Sequence, residues 1–219
     1  VDYTERMLAD WKDGETRDIH QDMMRLTLEI VAKTLFSVEI TSDSDRISAA
    51  LTTLMDSSSG ARMLLPPLLR LVPTPGNLRS IRAARDLDKI VYSLIGQRRA
   101  SGSQSHGDLL DTLLQGRYED GGPLPNQQLR DEVMTLLLTG HETTAVSLSW
   151  TWYLLSKHPN VEEKLWLELR QVLNGRSPRV QDLPWLPYTE RVIKEAMRLY
   201  PPVWAIVRNP LERCEIGGY

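Results

Sequence analysis

The stretch Leu136-Leu137-Leu138-Thr139-Gly140-His141-Glu142-Thr143-Thr144 lies within a long apolar run that reaches from about residue 129 to residue 155. Because apolar residues fall on nearly every side of a helix built from this run, the run predicts an interior helix. Its centre breaks the pattern with a glycine, a carboxylate and two hydroxyl groups. Gly140 costs about 1 kcal/mol relative to alanine inside a helix, and burial of Glu142 is costlier unless the carboxyl is hydrogen-bonded or protonated. Such departures mark functional sites. The alternative is a buried helix with a tolerated glycine and two threonines bonded back to its carbonyls.

The composition is that of a folded, soluble protein. Of 219 residues, 25% are charged and 41% are hydrophobic, which excludes a disordered chain. The net charge of −3 gives no reason to expect a nucleic-acid partner. No apolar run reaches the ~18 residues of a membrane span, and a lone cysteine, Cys214, excludes an internal disulfide. We expect a cytoplasmic protein without a membrane span.

The two ends of the sequence do not resemble the ends of a domain. The chain begins at Val1 without an initiator methionine, and residues 2–8 have the pattern of the middle of a helix. It stops at residues 217–219, a turn signal that comes after the strand-like residues 214–216. We therefore expect residues 1–219 to be part of a single domain that is truncated at both ends.

Hydrophobic periodicity and helix-end signals predict a mainly helical fold. Asp18 and Asn126 are expected to cap helices, and two prolines exclude a regular helix at residues 183–187. Strand signals are confined to the C-terminal end, where residues 203–207 are expected to form a buried strand and begin a small β-sheet. Helices are predicted over residues 2–11, 19–36, 43–55, 77–100, 108–114, 126–157, 159–175 and 188–200.

The last predicted helix carries a second unusual pair, Glu195 and Arg198. The two residues are three apart, so they lie on one face of the helix and can form an ion pair. The pair is either an ordinary surface ion pair or, because apolar residues surround it in sequence, a buried pair that needs further hydrogen bonds. Arg208 comes after the predicted strand, where it suits an anionic partner such as a carboxylate or is a plain surface arginine.

These features together resemble the cytochrome P-450 family of haem-thiolate monooxygenases. Thr139-Gly140-His141-Glu142-Thr143-Thr144 is similar to the central-helix signature of that family, in which a small residue, glycine, any residue and an acid precede one or two threonines. Glu195-Ala196-Met197-Arg198 matches its E-x-x-R helix, and Leu199-Tyr200-Pro201-Pro202 matches the residues that come directly after that helix in the family. The resemblance covers essentially the whole chain, although before residue 120 it rests mainly on helix layout. It implies a partial cytochrome P-450 fold, with the central helices and the start of the small β-sheet.

The resemblance implies a catalytic role for Glu142 and Thr143. They match the acid–alcohol pair that delivers protons to iron-bound dioxygen. A threonine hydroxyl both donates and accepts a hydrogen bond, and a carboxylate can relay protons from solvent. Thr139, Gly140 and Thr144 fall at positions next to the haem. Gly140 would let haem and dioxygen approach the helix closely, whereas Thr139 replaces the usual alanine or glycine and would narrow the substrate pocket.

Outside the central helix, the resemblance also implies several roles. Glu195 and Arg198 match the structural pair that locks the haem-binding core, and Arg208 matches a residue that binds a haem propionate. Val203 matches a substrate-pocket position near the haem edge. The proline-rich residues 63–71 fall where the family has a mobile roof over the substrate. From the residues alone, a packed connector is the other interpretation of that segment.

The cofactor implied by the resemblance is haem b, but the sequence lacks the glycine-rich loop that carries the family's cysteine ligand. Cys214 has no such loop before it and no helix after it, so it is not assigned as the iron ligand. His141 is the variable residue of the central signature and is not assigned as a ligand either. We therefore expect no metal ligand in this segment and an iron-binding cysteine outside it, so the segment alone should be inactive.

The interpretation as a monooxygenase fragment predicts an apolar small-molecule substrate, dioxygen and an electron-donor protein, either a ferredoxin or a flavoprotein reductase. The alternative is a naturally truncated, non-catalytic helical protein of the same origin that acts by binding only. An unrelated all-α scaffold would leave the coincidence of motifs unexplained.

Overall fold

A computed structural model describes residues 1–40, 44–58, 74–100, 106–206, 208, 210–215 and 217–218 of the chain. Its helices confirm the mainly helical prediction, and each predicted boundary lies within three residues of the observed one. Among the described helices, none combines the length and apolar character needed to cross a membrane. The helices are α1 (Asp2–Ala9), α2 (Ile19–Phe36), α3 (Ser44–Ser58), α4 (Pro75–Ala100), α5 (Leu109–Gln115), α6 (Asn126–Lys157), α7 (Pro159–Leu173), a 3₁₀ helix (Val180–Trp185) and α8 (Pro187–Leu199).

Several helix ends result from local side-chain chemistry. The Asp18 carboxylate accepts a hydrogen bond from the Gln21 amide at 3.2 Å and so caps α2, as predicted. Prolines occupy the first positions of α7 and α8, where the missing amide hydrogen costs nothing. The prediction for Asn126 was wrong in detail, because this residue is the first of α6. Its side-chain oxygen instead accepts a hydrogen bond from Arg99 at 2.6 Å.

The prediction of a buried strand over residues 203–207 was wrong for its described part. Val203, Trp204 and Ile206 are 56%, 85% and 71% exposed, and the described residues of this segment belong to no strand. A strand needs a neighbour for its backbone hydrogen bonds, and the described part of the chain supplies none. The β pairing in that part is a single antiparallel bridge between Arg117 and Pro123.

The described chain forms two compact units, Val1–Ser149 and Trp150–Tyr219. In the first unit, the core is an apolar cluster to which α2, α3, α4, α5 and α6 all contribute. A second cluster joins α1 and α2 to Ala145 of α6. The fully buried members of the larger core include Leu28, Phe36, Leu51, Leu87, Leu110, Leu129 and Val133.

In the second unit, aromatic rings connect the end of α6 to the end of α8. Trp150 and Tyr200 stack with their ring centroids 4.2 Å apart and their planes 7° from parallel, and Tyr153 meets both rings edge-on. The Glu168 carboxylate of α7 accepts hydrogen bonds from the backbone amides of Tyr188 and Thr189 at 2.7 and 2.8 Å. These contacts fix the position of α8.

The prediction of a single truncated domain concerns the complete protein, and it stays a prediction. The proposed roof, residues 63–71, lies outside the described residues.

Candidate active site

Side-chain hydroxyls form a regular stripe along α6. Thr135, Thr139, Thr143 and Ser147 are spaced by four residues, and each hydroxyl donates to the backbone carbonyl one turn earlier at 2.8 to 2.9 Å. Thr135 and Thr139 are exposed and Thr143 is half-buried. Since each hydroxyl hydrogen is directed at a carbonyl, the oxygen lone pairs remain to accept a hydrogen bond from a group next to the helix.

The opposite side of α6 faces the core. Leu129, Val133, Leu137, His141 and Ala145, also spaced by four, are at most 8% exposed. The prediction that α6 is interior on nearly every side was therefore wrong for the described structure, in which the helix has one buried face and one open face. The count of apolar residues in the run does not distinguish these faces. The open face is lined mainly by threonines, whose hydroxyls bond to the helix backbone.

Glu142 lies between the two faces and is half-buried. Burial raises the pKa of its carboxyl, while the positive charge of His20 acts in the opposite direction. A carboxyl with a raised pKa exchanges protons closer to neutral pH. Glu142, with its raised pKa, directly precedes Thr143 in the sequence. The roles assigned to Glu142 and Thr143 from the resemblance stay predictions.

Gly140 packs against α2. A Cβ atom built on this glycine would lie 3.2 Å from Cγ2 and 3.3 Å from Cγ1 of Val31. The absence of a side chain thus has a packing reason within the described structure, and close approach of haem stays a prediction. The neighbouring Thr144 hydroxyl is exposed and donates to the Gly140 carbonyl at 3.3 Å.

Glu195 and Arg198 form the predicted ion pair. Arg198 donates through Nε and Nη2 to the two carboxylate oxygens of Glu195 at 2.8 and 2.6 Å. The pairing with Arg198 lowers the pKa of the Glu195 carboxyl. Of the two alternatives, the described structure has the surface ion pair, because the side chains of Glu195 and Arg198 are 56% and 66% exposed. Ala196 is the buried residue of α8.

The other residues singled out in the C-terminal segment are also exposed. Val203, Arg208 and Cys214 lie after α8 and face solvent in the described structure. Their positions do not test the roles in substrate and propionate binding. These roles stay predictions.

Comparison with known proteins supplies the family. A model of the cytochrome P450 family matches residues 2–219. The chain belongs to the cytochrome P450 family. The match extends over nearly the whole chain and so includes the part before residue 120, where the sequence resemblance rests on helix layout.

Relatives in this family show how much of a cytochrome P450 the chain represents. Cyclooctat-9-en-7-ol 5-monooxygenase of Streptomyces melanosporofaciens is 41% identical over all of this chain and 48% of its own length. Pentalenene oxygenase of Streptomyces avermitilis is 38% identical over 96% of this chain and 46% of its own length. Retinoic acid-bound cyanobacterial CYP120A1 matches with a TM-score of 0.80 and 25% identity over 100% of this chain and 47% of the solved chain. The chain therefore spans about half the length of these relatives.

The family implies a haem cofactor, and the residues present fit one side of it. The open face of α6 presents hydroxyl oxygens that can accept a hydrogen bond, with small or short side chains at Thr139 and Thr143. The only cysteine of the chain, Cys214, is exposed. Thr139 and Thr143 are thus the residues of this face that would contact haem, and the thiolate ligand is expected elsewhere in the complete protein.

Sequence reasoning missed His20, whose imidazole contacts α6 at Ser149. It also missed Arg98, a buried residue of α4 that bonds to Asp108 at the start of α5 and to the Phe36 carbonyl at the end of α2. Neither residue belongs to a recognisable motif. The one available signal for Arg98 was its place on the otherwise apolar side of a helix, together with Leu87, Val91 and Ile95.

Proposed function

We propose that the complete protein is a haem-dependent monooxygenase that activates dioxygen and oxidises an apolar organic substrate. The observation that carries this proposal is the acid–alcohol pair of α6, in which Thr143 lies on the open face and Glu142 lies between the open and the buried face. The cytochrome P450 membership of the chain and the oxygenase names of its relatives support it. Bound haem would supply dioxygen binding and cleavage of the O–O bond.

The chain's own residues would manage protons and shape the pocket. The Thr143 hydroxyl hydrogen is directed at the Thr139 carbonyl, so its oxygen is preorganised as an acceptor. Glu142, with its raised pKa, would hold a proton and release it toward Thr143. Thr139 would limit the space above the haem because its side chain is larger than alanine. Gly140 and Thr144 would border the same face, and Arg208 would pair with a propionate.

The relatives' names favour a narrower substrate class. Cyclooctat-9-en-7-ol and pentalenene are, by name, an unsaturated alcohol and an alkene. We propose a largely hydrocarbon, unsaturated substrate rather than a charged one, bound against Thr139 and Val203. Electrons would come from a ferredoxin or a flavoprotein reductase.

The test is Thr143→Ala in the complete, haem-loaded enzyme. We expect electron consumption to continue while the yield of oxygenated product per electron falls, because the hydroxyl that takes part in proton delivery has been removed. Thr135→Ala is the matched control: it removes the same kind of back-bonded hydroxyl two turns away and should leave the yield unchanged. An unchanged yield in Thr143→Ala would refute the assigned role. A complete protein that binds no haem would instead favour a non-catalytic binding protein.

A further inference from the structure

The exposed residue His20 is held against the central helix. Helices α2 and α6 lie side by side in opposite directions, since Val31 meets α6 at Gly140 and His20, eleven residues earlier in α2, meets it at Ser149. The distance from His20 Nδ1 to Ser149 Oγ is 3.2 Å. Glu142 lies between these two contact points in the sequence of α6. The N-terminal end of α2 is therefore positioned on the same stretch of α6 as the proton-exchanging carboxyl.

The hydrogen bonds of Ser149 determine how His20 is bound. The Ser149 hydroxyl donates its only hydrogen to the Ala145 carbonyl at 2.7 Å. The ring nitrogen Nδ1 of His20 must then be the donor to Ser149 Oγ. This bond places a hydrogen on Nδ1. The imidazole is thus oriented by α6.

His20 also lines an open cleft of roughly 630 Å³ between α2 and α3. The other charged residues of this cleft have partners of their own. Asp22 is bound by Nε and Nη2 of Arg17 at 2.8 and 3.0 Å, the Asp18 carboxylate caps α2, and Arg25 lies 4.0 Å from Asp10. Within the described part of the chain, the charge that acts on Glu142 is that of His20.

The helix geometry places Ser149, which His20 contacts, on the same face of α6 as Glu142. Glu142 and Ser149 are seven residues apart, which is two helical turns, so their side chains lie on one face about 10 Å apart along the axis. His20 contacts this face at Ser149. Burial raises the pKa of Glu142, and the imidazolium charge counteracts that effect.

We propose that His20 is a positioning residue for proton delivery: anchored on Ser149 and open to the cleft, its ring supplies a positive charge that stabilises the Glu142 carboxylate. This role rests on the proposed function in that Glu142 is the delivering acid. His20 itself touches neither the haem nor the substrate. It acts through Glu142.

The first experiment needs no turnover. In the complete, haem-loaded protein, infrared difference spectra isolate the carboxyl band that Glu142→Gln deletes, and its pH titration is followed in further variants. His20→Gln keeps a donor for Ser149 but removes the charge, so we expect the titration midpoint to rise. His20→Lys keeps a positive charge and should restore the midpoint toward the native value. Ser149→Ala releases the ring and should give a smaller rise.

Arg25→Gln is the matched control, because it removes a cation from the same helix and the same cleft. It should leave the Glu142 midpoint unchanged. An unchanged midpoint in His20→Gln, or an equal shift in Arg25→Gln, would overturn the proposal for His20.

Turnover supplies an independent outcome. In His20→Gln, the pH profile of product yield per electron should move in the same direction as the titration. A shifted titration with an unmoved profile would overturn Glu142 as the delivering acid while leaving its pairing with His20 intact. The failure of the proposed function is thus distinguishable from the failure of the inference.

Discussion

Gly140 of α6 and Val31 of α2 are packed so closely that a methyl group on the glycine would lie inside ordinary van der Waals contact distance of the valine. A Cβ built on Gly140 would lie 3.2 and 3.3 Å from the two terminal carbons of Val31. Valine in a helix has one strongly preferred rotamer, and rotation would only exchange one close carbon for the other. We therefore expect Gly140→Ala to lower the free energy of unfolding by about 1 kcal/mol, since overpacking outweighs the gain in helix propensity.

Chemical denaturation of the Gly140→Ala protein measures this effect. Two further variants test whether the contact with Val31 causes it. Gly96→Ala places a methyl group on α4 where no atom lies within 4 Å, so it should stabilise by up to ~1 kcal/mol through helix propensity. Val31→Ala combined with Gly140→Ala should remove most of the penalty. If Gly140→Ala is as stabilising as Gly96→Ala, the close packing is not the reason for the glycine.

Arg98 joins three elements through a buried ion cluster. Its Nη1 donates to Asp108 and Asp111 at 2.7 Å each, and its Nη2 donates to the Phe36 carbonyl at 2.6 Å. Arg98→Met would leave two buried carboxylates without their cation. We expect the free energy of unfolding to fall by about 3–5 kcal/mol, whereas Arg85→Met, on the exposed side of the same helix, should change it little.

The same cluster predicts a response to acid. Burial of Asp108 alone would raise its pKa, but Arg98 and the Asp111 amide outweigh burial, so the pKa of the carboxyl is lowered. A lowered pKa stabilises the fold above the unfolded pKa of about 3.9, and that stabilisation is lost as the pH falls through the folded value. We expect the free energy of unfolding of the native protein to fall below pH ~4. The fall should be smaller in the Arg98→Met variant. Equal acid sensitivity of the two proteins would contradict this role.

The helices were predictable from sequence because their signals are local. Asp18 and Pro159 mark helix starts through their own side chains, and boundaries near them were right to the residue. The buried strand after α8 was not predictable in the same way. An apolar run such as residues 203–207 forms a strand only when another segment pairs with it, and no periodicity in the run reveals whether that partner is available.

The candidate site shows the same division. The motif located Glu142 and Thr143, because their spacing on one helix is a property of the sequence. It did not locate His20, which reaches α6 from a helix more than a hundred residues earlier in the chain. It also gave no indication of the contact between Gly140 and Val31. Contacts between helices depend on how the faces pack, and a sequence pattern specifies the faces but not their partners.

Glu168 fixes the start of α8 from outside that helix. Its carboxylate accepts three hydrogen bonds, from the amides of Tyr188 and Thr189 and from the Thr189 hydroxyl, at 2.7 to 2.8 Å. A negative charge at a helix N-terminus is also favoured by the helix dipole. We expect Glu168→Ala to lower the free energy of unfolding by about 1–2 kcal/mol and to speed hydrogen exchange of the Tyr188 and Thr189 amides.

Glu163→Ala on α7 is the control for Glu168, because it removes an exposed carboxylate from the same helix. It should leave exchange at Tyr188 and Thr189 unchanged. Burial tends to raise the pKa of Glu168, but the hydrogen bonds from Tyr188 and Thr189 outweigh it, and the pKa is lowered. The protection factors of these two amides, which correct for the pH dependence of intrinsic exchange, should therefore also fall as the pH falls through the folded pKa of this carboxyl. If neither Glu168→Ala nor acid changes the protection of the Tyr188 and Thr189 amides, the capping role is refuted.

His141 is a buried histidine whose surroundings favour its neutral form. It is 1% exposed, and its Nδ1 lies 2.7 Å from the Leu137 carbonyl, which can only accept, so Nδ1 carries the hydrogen. Within the described part of the chain, the buried Nε2 has no hydrogen-bond partner. Burial accordingly lowers the pKa of the ring, although the backbone carbonyls act against it.

A lowered histidine pKa makes the fold sensitive to mild acid. Below the unfolded pKa of about 6.5, the unfolded chain binds a proton that the folded chain does not, so stability falls by up to ~1.4 kcal/mol per pH unit until the folded ring also titrates. We expect denaturation midpoints to fall between about pH 7 and 5.5, and His141→Leu to flatten that slope. His158→Leu removes an exposed histidine and should leave the slope in place. A slope that survives His141→Leu and disappears in His158→Leu would assign the acid sensitivity to the surface instead.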